Sequence, residues 1–145
     1  MPNRQELYEL EETFRQLFRR IRASWTRFEV QGVSSSQASI LEKLQNDGPL
    51  KVSQLAEALW ITAGAVTSLS DKLIAGHFAE RSRSEEDRRV VYLEITDKGR
   101  EVLTEFRTHR EKIIDGFFGS LSKEDSDHLI RIFNQILKDS EPMHS

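Results

Sequence analysis

The apolar residues change their spacing at Phe78, and no other property of the 145-residue chain restricts its fold so tightly. Before that point Val52 to Leu59 reads as a short helix, Trp60-Ile61 interrupts it, and Val66, Leu69 and Leu73 restart a helical stripe behind Thr62. After it, Val91, Leu93 and Ile95 alternate with polar neighbours, the period of two expected of a half-buried strand. Between the two patterns lie Phe78 to Arg83 and the charged run Glu85-Glu86-Asp87-Arg88-Arg89. The chain must therefore build two short helices around a three- or four-residue turn, and then at once an antiparallel hairpin with a charged tip.

The flanks are helical. Leu7, Leu10, Phe14, Leu17, Phe18, Ile21, Trp25 and Phe28 fall every three or four residues, which predicts a first helix over about residues 5 to 30, ended by Gly32. Ser34 and Gln37 form a capping-box pair ahead of Ala38, Ile40, Leu41 and Leu44, and that second helix should stop near Asp47-Gly48-Pro49. Thr62 is the expected N-cap of the fourth helix, with Gly76 closing it. Thr96 caps a long fifth helix, and Ser122 caps a sixth that carries Leu129, Ile130, Phe133, Ile136 and Leu137, before a frayed tail from Ser140 to Ser145. The expected fold is mainly α with a small β-hairpin wing, about six helices in all.

Two helices joined by a tight turn and followed by a charged hairpin form a winged helix-turn-helix, which places one helix in the major groove of DNA. Burying Val66, Leu69 and Leu73 leaves Thr62, Ala63, Gly64, Thr67, Ser68, Asp71 and Lys72 facing outward. The charge balance is a constraint on that function. The whole chain carries −3, and residues 51–95 hold six Lys or Arg against seven acids, a net −1. Without a basic blanket, binding must come from placement: cations where phosphates pass, and helix N-termini donating N–H groups.

Other function classes find little footing. No phosphate-binding glycine loop, dinucleotide fingerprint or His-Glu-x-x-His occurs, and the absence of Cys removes thiol catalysis, disulfides and thiolate metal sites. No enzyme, cofactor or metal is expected. His77, His109, His128 and His144 are scattered; His109 near Glu105 is the one weak metal candidate, its alternative being a solvated helix residue. No apolar run approaches the roughly 18 residues of a membrane span, so a cytoplasmic protein is expected.

The order of elements, and above all Asp87-Arg88-Arg89-Val90-Val91-Tyr92-Leu93-Glu94-Ile95-Thr96-Asp97-Lys98-Gly99, resembles the MarR family of bacterial transcriptional regulators. Leu55-Ala56-Glu57-Ala58-Leu59 and Val66-Thr67-Ser68-Leu69-Ser70-Asp71-Lys72-Leu73 add to the likeness, which runs over nearly the whole chain as one domain, 1–145. The resemblance implies a DNA-binding lobe at 34–96 and a helical dimerisation region at 4–31 and 97–141. It also implies a homodimer on a pseudo-palindromic DNA site, phosphate contact by Arg88 and minor-groove contact by Arg89, steadied by Asp87. With Thr62, Ala63, Gly64, Thr67, Ser68, Lys72 and Arg83, these complete the expected DNA-binding set. The phenylalanine-rich terminal stripes independently ask for a second copy, because the head is too small to cover them.

Three positions depart from the family pattern. Trp60 stands where the inter-helix turn often has Gly, and an anchoring core role is expected of its ring. Lys51 replaces the usual Ser/Thr N-cap, leaving the third helix less well capped. Ala63, Gly64 and Ala65 are small, so base readout should rest on Thr67, Ser68, Lys72 and close methyl or backbone approach, with more specificity coming from DNA shape. Family habit further implies repression and a small aromatic or anionic effector. Trp25, Phe28 and Ile40 are the candidate lining of its cleft, with core packing as the alternative role of each. A winged-helix module that binds protein and not DNA is the alternative function.

Overall fold

Six helices and one two-stranded antiparallel sheet make up residues 1–140, the part of the chain that the computed structural model describes. The expected fraying beyond Ser140, together with His144, lies outside the described residues. Helix α1 spans Arg4–Thr26, α2 Ser35–Asp47, α3 Val52–Leu59 and α4 Ala63–Ala75. Strands β1 (Ala79–Arg83) and β2 (Val91–Ile95) follow, then α5 (Asp97–Phe118) and α6 (Lys123–Asp139). Contacts divide the chain into a unit of residues 1–110 and another beginning at Glu111.

Local capping chemistry explains most of the boundaries. Ser34 Oγ accepts from Gln37 N–H while Gln37 Oε1 accepts from Ser34 N–H, at 3.3 and 2.8 Å. Asn3 and Glu6 make the same reciprocal pair at the start of α1. Thr62 Oγ1 accepts from Ala65 N–H at 3.1 Å and starts α4. The Thr96 hydroxyl accepts from Gly99 N–H at 3.1 Å and donates to the His77 carbonyl at 2.7 Å, so it fastens the start of α5 to the end of α4. Gly99 must be Gly, because a Cβ there would strike the Phe78 carbonyl oxygen.

The core of the first unit is assembled from Ile40, Leu41 and Leu44 of α2, Leu55 of α3, Val66 and Leu73 of α4, Phe78, Leu93 and Ile95 around the sheet, and Val102, Leu103 and Phe106 of α5. Leu50 pairs with Leu93 through two backbone hydrogen bonds, 3.1 and 2.8 Å, which pins the start of α3 to the outer edge of β2. In contrast, neither α1 nor α6 has a single buried residue.

Three expectations need correction. Helix α1 ends at Thr26, four residues early, because Gln31 (φ 53°) and Gly32 (φ 81°) form the left-handed tip of a small turn closed by Val30 and Val33. Gly32 therefore shapes that turn and does not end the helix. Gly76 closes α4 as expected, in ordinary right-handed geometry, and the left-handed residue after it is His77. Gly is needed at 76 because a Cβ would lie 2.5 Å from the Phe78 ring. Trp60 takes the left-handed conformation that Gly usually supplies (φ 58°, ψ 40°), and its side chain is exposed rather than anchored in the core.

Candidate nucleic-acid interface

Helix α4 is fixed from behind by Val66 and Leu73, both fully buried, with Leu69 packed against the same core. That burial decides which face is free. Thr62, Ala63, Gly64, Thr67, Ser68 and Lys72 are all exposed, as the periodicity requires. The hairpin stands beside them, and one ion pair joins the two elements: Arg81 of β1 donates from Nη2 to Asp71 Oδ1 of α4 at 2.6 Å. Opposite charges ten residues apart on different elements leave no periodic trace, so this tie is invisible to sequence reasoning.

The hairpin tip is built on backbone as much as on side chains. Ser84 N–H donates to the Val90 carbonyl and Val90 N–H to the Asp87 carbonyl, both at 3.0 Å, which closes the loop. Arg83 Nη1 donates to the Arg88 carbonyl at 2.7 Å. Arg83, expected at the DNA, thus spends at least one donor holding the loop from within. Asp87 grips Arg89 three times: Oδ1 accepts from Arg89 N–H (3.1 Å) and Nε–H (3.0 Å), and Oδ2 accepts from Nη2 (3.1 Å). The guanidinium side-chain bond, then the Arg89 backbone N–H, hold the Asp87 carboxyl below its ordinary pKa. The same contact raises Arg89. Even so gripped, the Arg89 side chain is 91% exposed. A planar cation is therefore presented outward at fixed orientation, the geometry suited to a narrow, electronegative groove. Arg88 is exposed beside it.

The expected effector residues separate. Trp25 lines a cleft of about 590 Å³ with Phe18, Arg22, Phe106, Arg107 and Arg110. Ile40 is fully buried in the core and is not part of the lining of this cleft. Phe28 stands outside this cleft: it stacks on His109 with ring centroids 3.8 Å apart and meets Phe106 edge-on at 5.1 Å. His109 is thus no solvated residue. Its Nε2 lies 3.1 Å from the Ser24 carbonyl oxygen and its ring is edge-on to Trp25, so it fastens the end of α1 to α5. Among the described residues, no three His, Cys, Asp or Glu side chains converge as a metal site, and no helix is long and apolar enough to cross a membrane.

Against known proteins, the model of the MarR family matches residues 33–91. The chain is 29% identical over 134 residues to the HTH-type transcriptional regulator YpoP of Bacillus subtilis, covering 92% of this chain and 95% of that one. It is 34% identical over 97 residues to the B. subtilis HTH-type transcriptional repressor MdtR, covering 67% of this chain and 63% of MdtR. The crystal structure of the transcriptional regulator BldR from Sulfolobus solfataricus superposes with a TM-score of 0.79 at 28% identity, over 97% of this chain and all of BldR.

Proposed function

The chain belongs to the MarR family of transcriptional regulators, and from that premise we propose that it is a cytoplasmic, homodimeric repressor of a pseudo-palindromic DNA site. The observation that carries the reading is the Arg89 guanidinium, aimed by the Asp87 carboxylate and exposed beside the free face of α4. In this reading α4 lies in the major groove, with Thr67, Ser68 and Lys72 toward base edges or phosphates and Ala63 and Gly64 allowing close backbone approach. Arg89 enters the adjacent minor groove, and Arg88 meets its phosphates.

Dimerisation is supported by each terminal region on its own. Leu10, Phe14 and Phe18 on α1 are exposed, as are Ile130, Phe133 and Ile136 on α6, and a second copy of the chain would cover them. Two heads related by a two-fold axis address half-sites about one helical turn apart. MdtR, a repressor by name, favours the sign of regulation.

The cleft at Trp25 suits a small aromatic anion: Phe18, Trp25 and Phe106 line it, while Arg22 and Arg107 make no ion pair among the described residues. Such an effector releases DNA only if it binds the DNA-incompetent dimer more tightly.

A gel shift on the promoter next to the chain's own gene, at low and moderate salt, tests the reading. Arg89→Ala should weaken binding by about 10- to 100-fold, equivalent to the 1–3 kcal/mol of a good groove contact, with the dimer intact by sedimentation. Unchanged affinity removes the wing assignment. No DNA binding by the unmodified protein at either salt leaves the head as a protein-interaction module.

A further inference from the structure

Helix α3 is the exception to the capping of this chain. Its N-cap is Lys51, whose ammonium has no lone pair to offer, and the only bond made there runs the other way, from Lys51 N–H to Gln54 Oε1 at 2.9 Å. The N–H groups of Val52, Ser53 and Gln54 therefore point out of the helix with no acceptor among the described residues, where the Lys51 ammonium likewise has no ion-pair partner. A groove of about 370 Å³ opens at this end, bounded by Lys51 and Ser53 of the α3 start, Thr67 and Ser70 of α4, and Arg81 and Arg89 of the wing.

A second observation comes from the opposite wall. Ser70 is 2% exposed and its hydroxyl has no hydrogen-bond partner among the described residues, not even the carbonyl one turn back that helical serines commonly use. An uncapped helix N-terminus, an unpaired ammonium and an unsatisfied buried hydroxyl thus line one groove. The three share a requirement for a compact anion with several acceptor oxygens. The Leu50–Leu93 pairing fixes the α3 start against the wing, so the groove is held by backbone and not by side-chain packing alone.

We propose that this groove is a binding site for one phosphate group, held by the α3 N-terminus, Lys51 and the Ser70 hydroxyl, with Arg89 and Arg81 at its rim. The occupant favoured by its position is a backbone phosphodiester of bound duplex, because the groove lies between the helix and the hairpin that would straddle a single strand. This deepens the DNA-binding reading and rests on it. A free inorganic phosphate presents the same oxygens and is the other source of the ligand.

The test uses the full chain and two variants, Lys51→Thr, which restores a side-chain cap and removes the cation, and Ser70→Ala. Far-ultraviolet circular dichroism and melting curves establish that both fold. Plots of log affinity against log salt are expected to lose about 0.9 in slope for Lys51→Thr, with operator and random duplex weakened alike. Neutralising single phosphates as methylphosphonates should reveal one position that weakens the unmodified protein severalfold and leaves Lys51→Thr indifferent. Separately, amide chemical shifts of residues 52–54 and Ser70 are followed as inorganic phosphate is added without DNA. Shifts there with no sensitive methylphosphonate position assign the site to free phosphate and overturn the duplex assignment. An unchanged salt slope, no sensitive position and no amide shifts together overturn the site itself. If the unmodified protein binds no duplex at all, it is the regulator reading that falls, while the phosphate titration still decides the groove.

Discussion

Residues 34–96 and the terminal helices are written in the same amino acids and meet opposite fates. In α2, five of 13 residues are buried, whereas α1 and α6 run for 23 and 17 residues without burying one. Each of the terminal helices nevertheless carries an apolar stripe at helical spacing. Amphipathicity tells which face of a helix seeks cover but not whether the cover comes from the same chain. In the middle of the protein the stripe closes on Leu55, Leu73 and Leu93. At the ends it remains open, and the proposed dimer is the partner that would close it.

The contrast breaks most sharply on equal truncations in the two regions. Leu41→Ala, at a fully buried site, should cost about 2–5 kcal/mol, the same at any protein concentration in urea melts. Phe18→Ala, on the exposed stripe of α1, should cost little in dilute solution and progressively more as concentration rises. A concentration-independent loss at Phe18 would mean that α1 is covered within its own chain. Next in size, Phe133→Glu combined with Ile136→Glu should shift sedimentation to the monomer and lower operator affinity by at least about 30-fold, roughly 2 kcal/mol. The head's helical signal should survive, and full affinity in a monomer would remove the need for the stripe.

Thr96→Ala sharpens the boundary between the regions, since that hydroxyl both caps α5 and ties it to His77. A loss of about 1 kcal/mol is expected, visible in thermal melts without a change in oligomeric state. The smallest effect belongs to pH. Asp87 has its pKa lowered in the folded state by Arg89, so the clamp is fully present above the ordinary carboxylate range near pH 4 and is lost as pH falls through the lowered value. The Arg89 amide resonance should move in that acid window and stay put in Asp87→Asn.

What could be read in the sequence was what is decided within a few residues. The Ser34–Gln37 box, the Thr62, Thr96 and Ser122 caps, and the alternation of Val91, Leu93 and Ile95 are local arrangements, and all recur in the structure. The exposed face of α4 followed from the same periodicity. What escaped was set by distance or by backbone sign. Asp71 meets Arg81, Arg110 meets Glu42, and His109 meets Ser24 across 10, 68 and 85 positions, and no local pattern encodes such pairs. Trp60 was misplaced because its hydrophobicity argued for the core while its left-handed backbone turned it out. Ile40 takes the core-packing role that stood beside the cleft reading, since one apolar face of α2 cannot be divided by periodicity into lining and interior.

The outward turn at Trp60 has a practical corollary. The chain has only two tryptophans, and the backbone sets one indole in solvent at the threshold of α4 while the other sits half-shielded in the wall of the cleft beside α1. Iodide should therefore quench one fluorophore far more than the other. The native protein carries two optical gauges without any label, one beside the helix proposed to meet a duplex and the other in the cleft proposed for a small molecule.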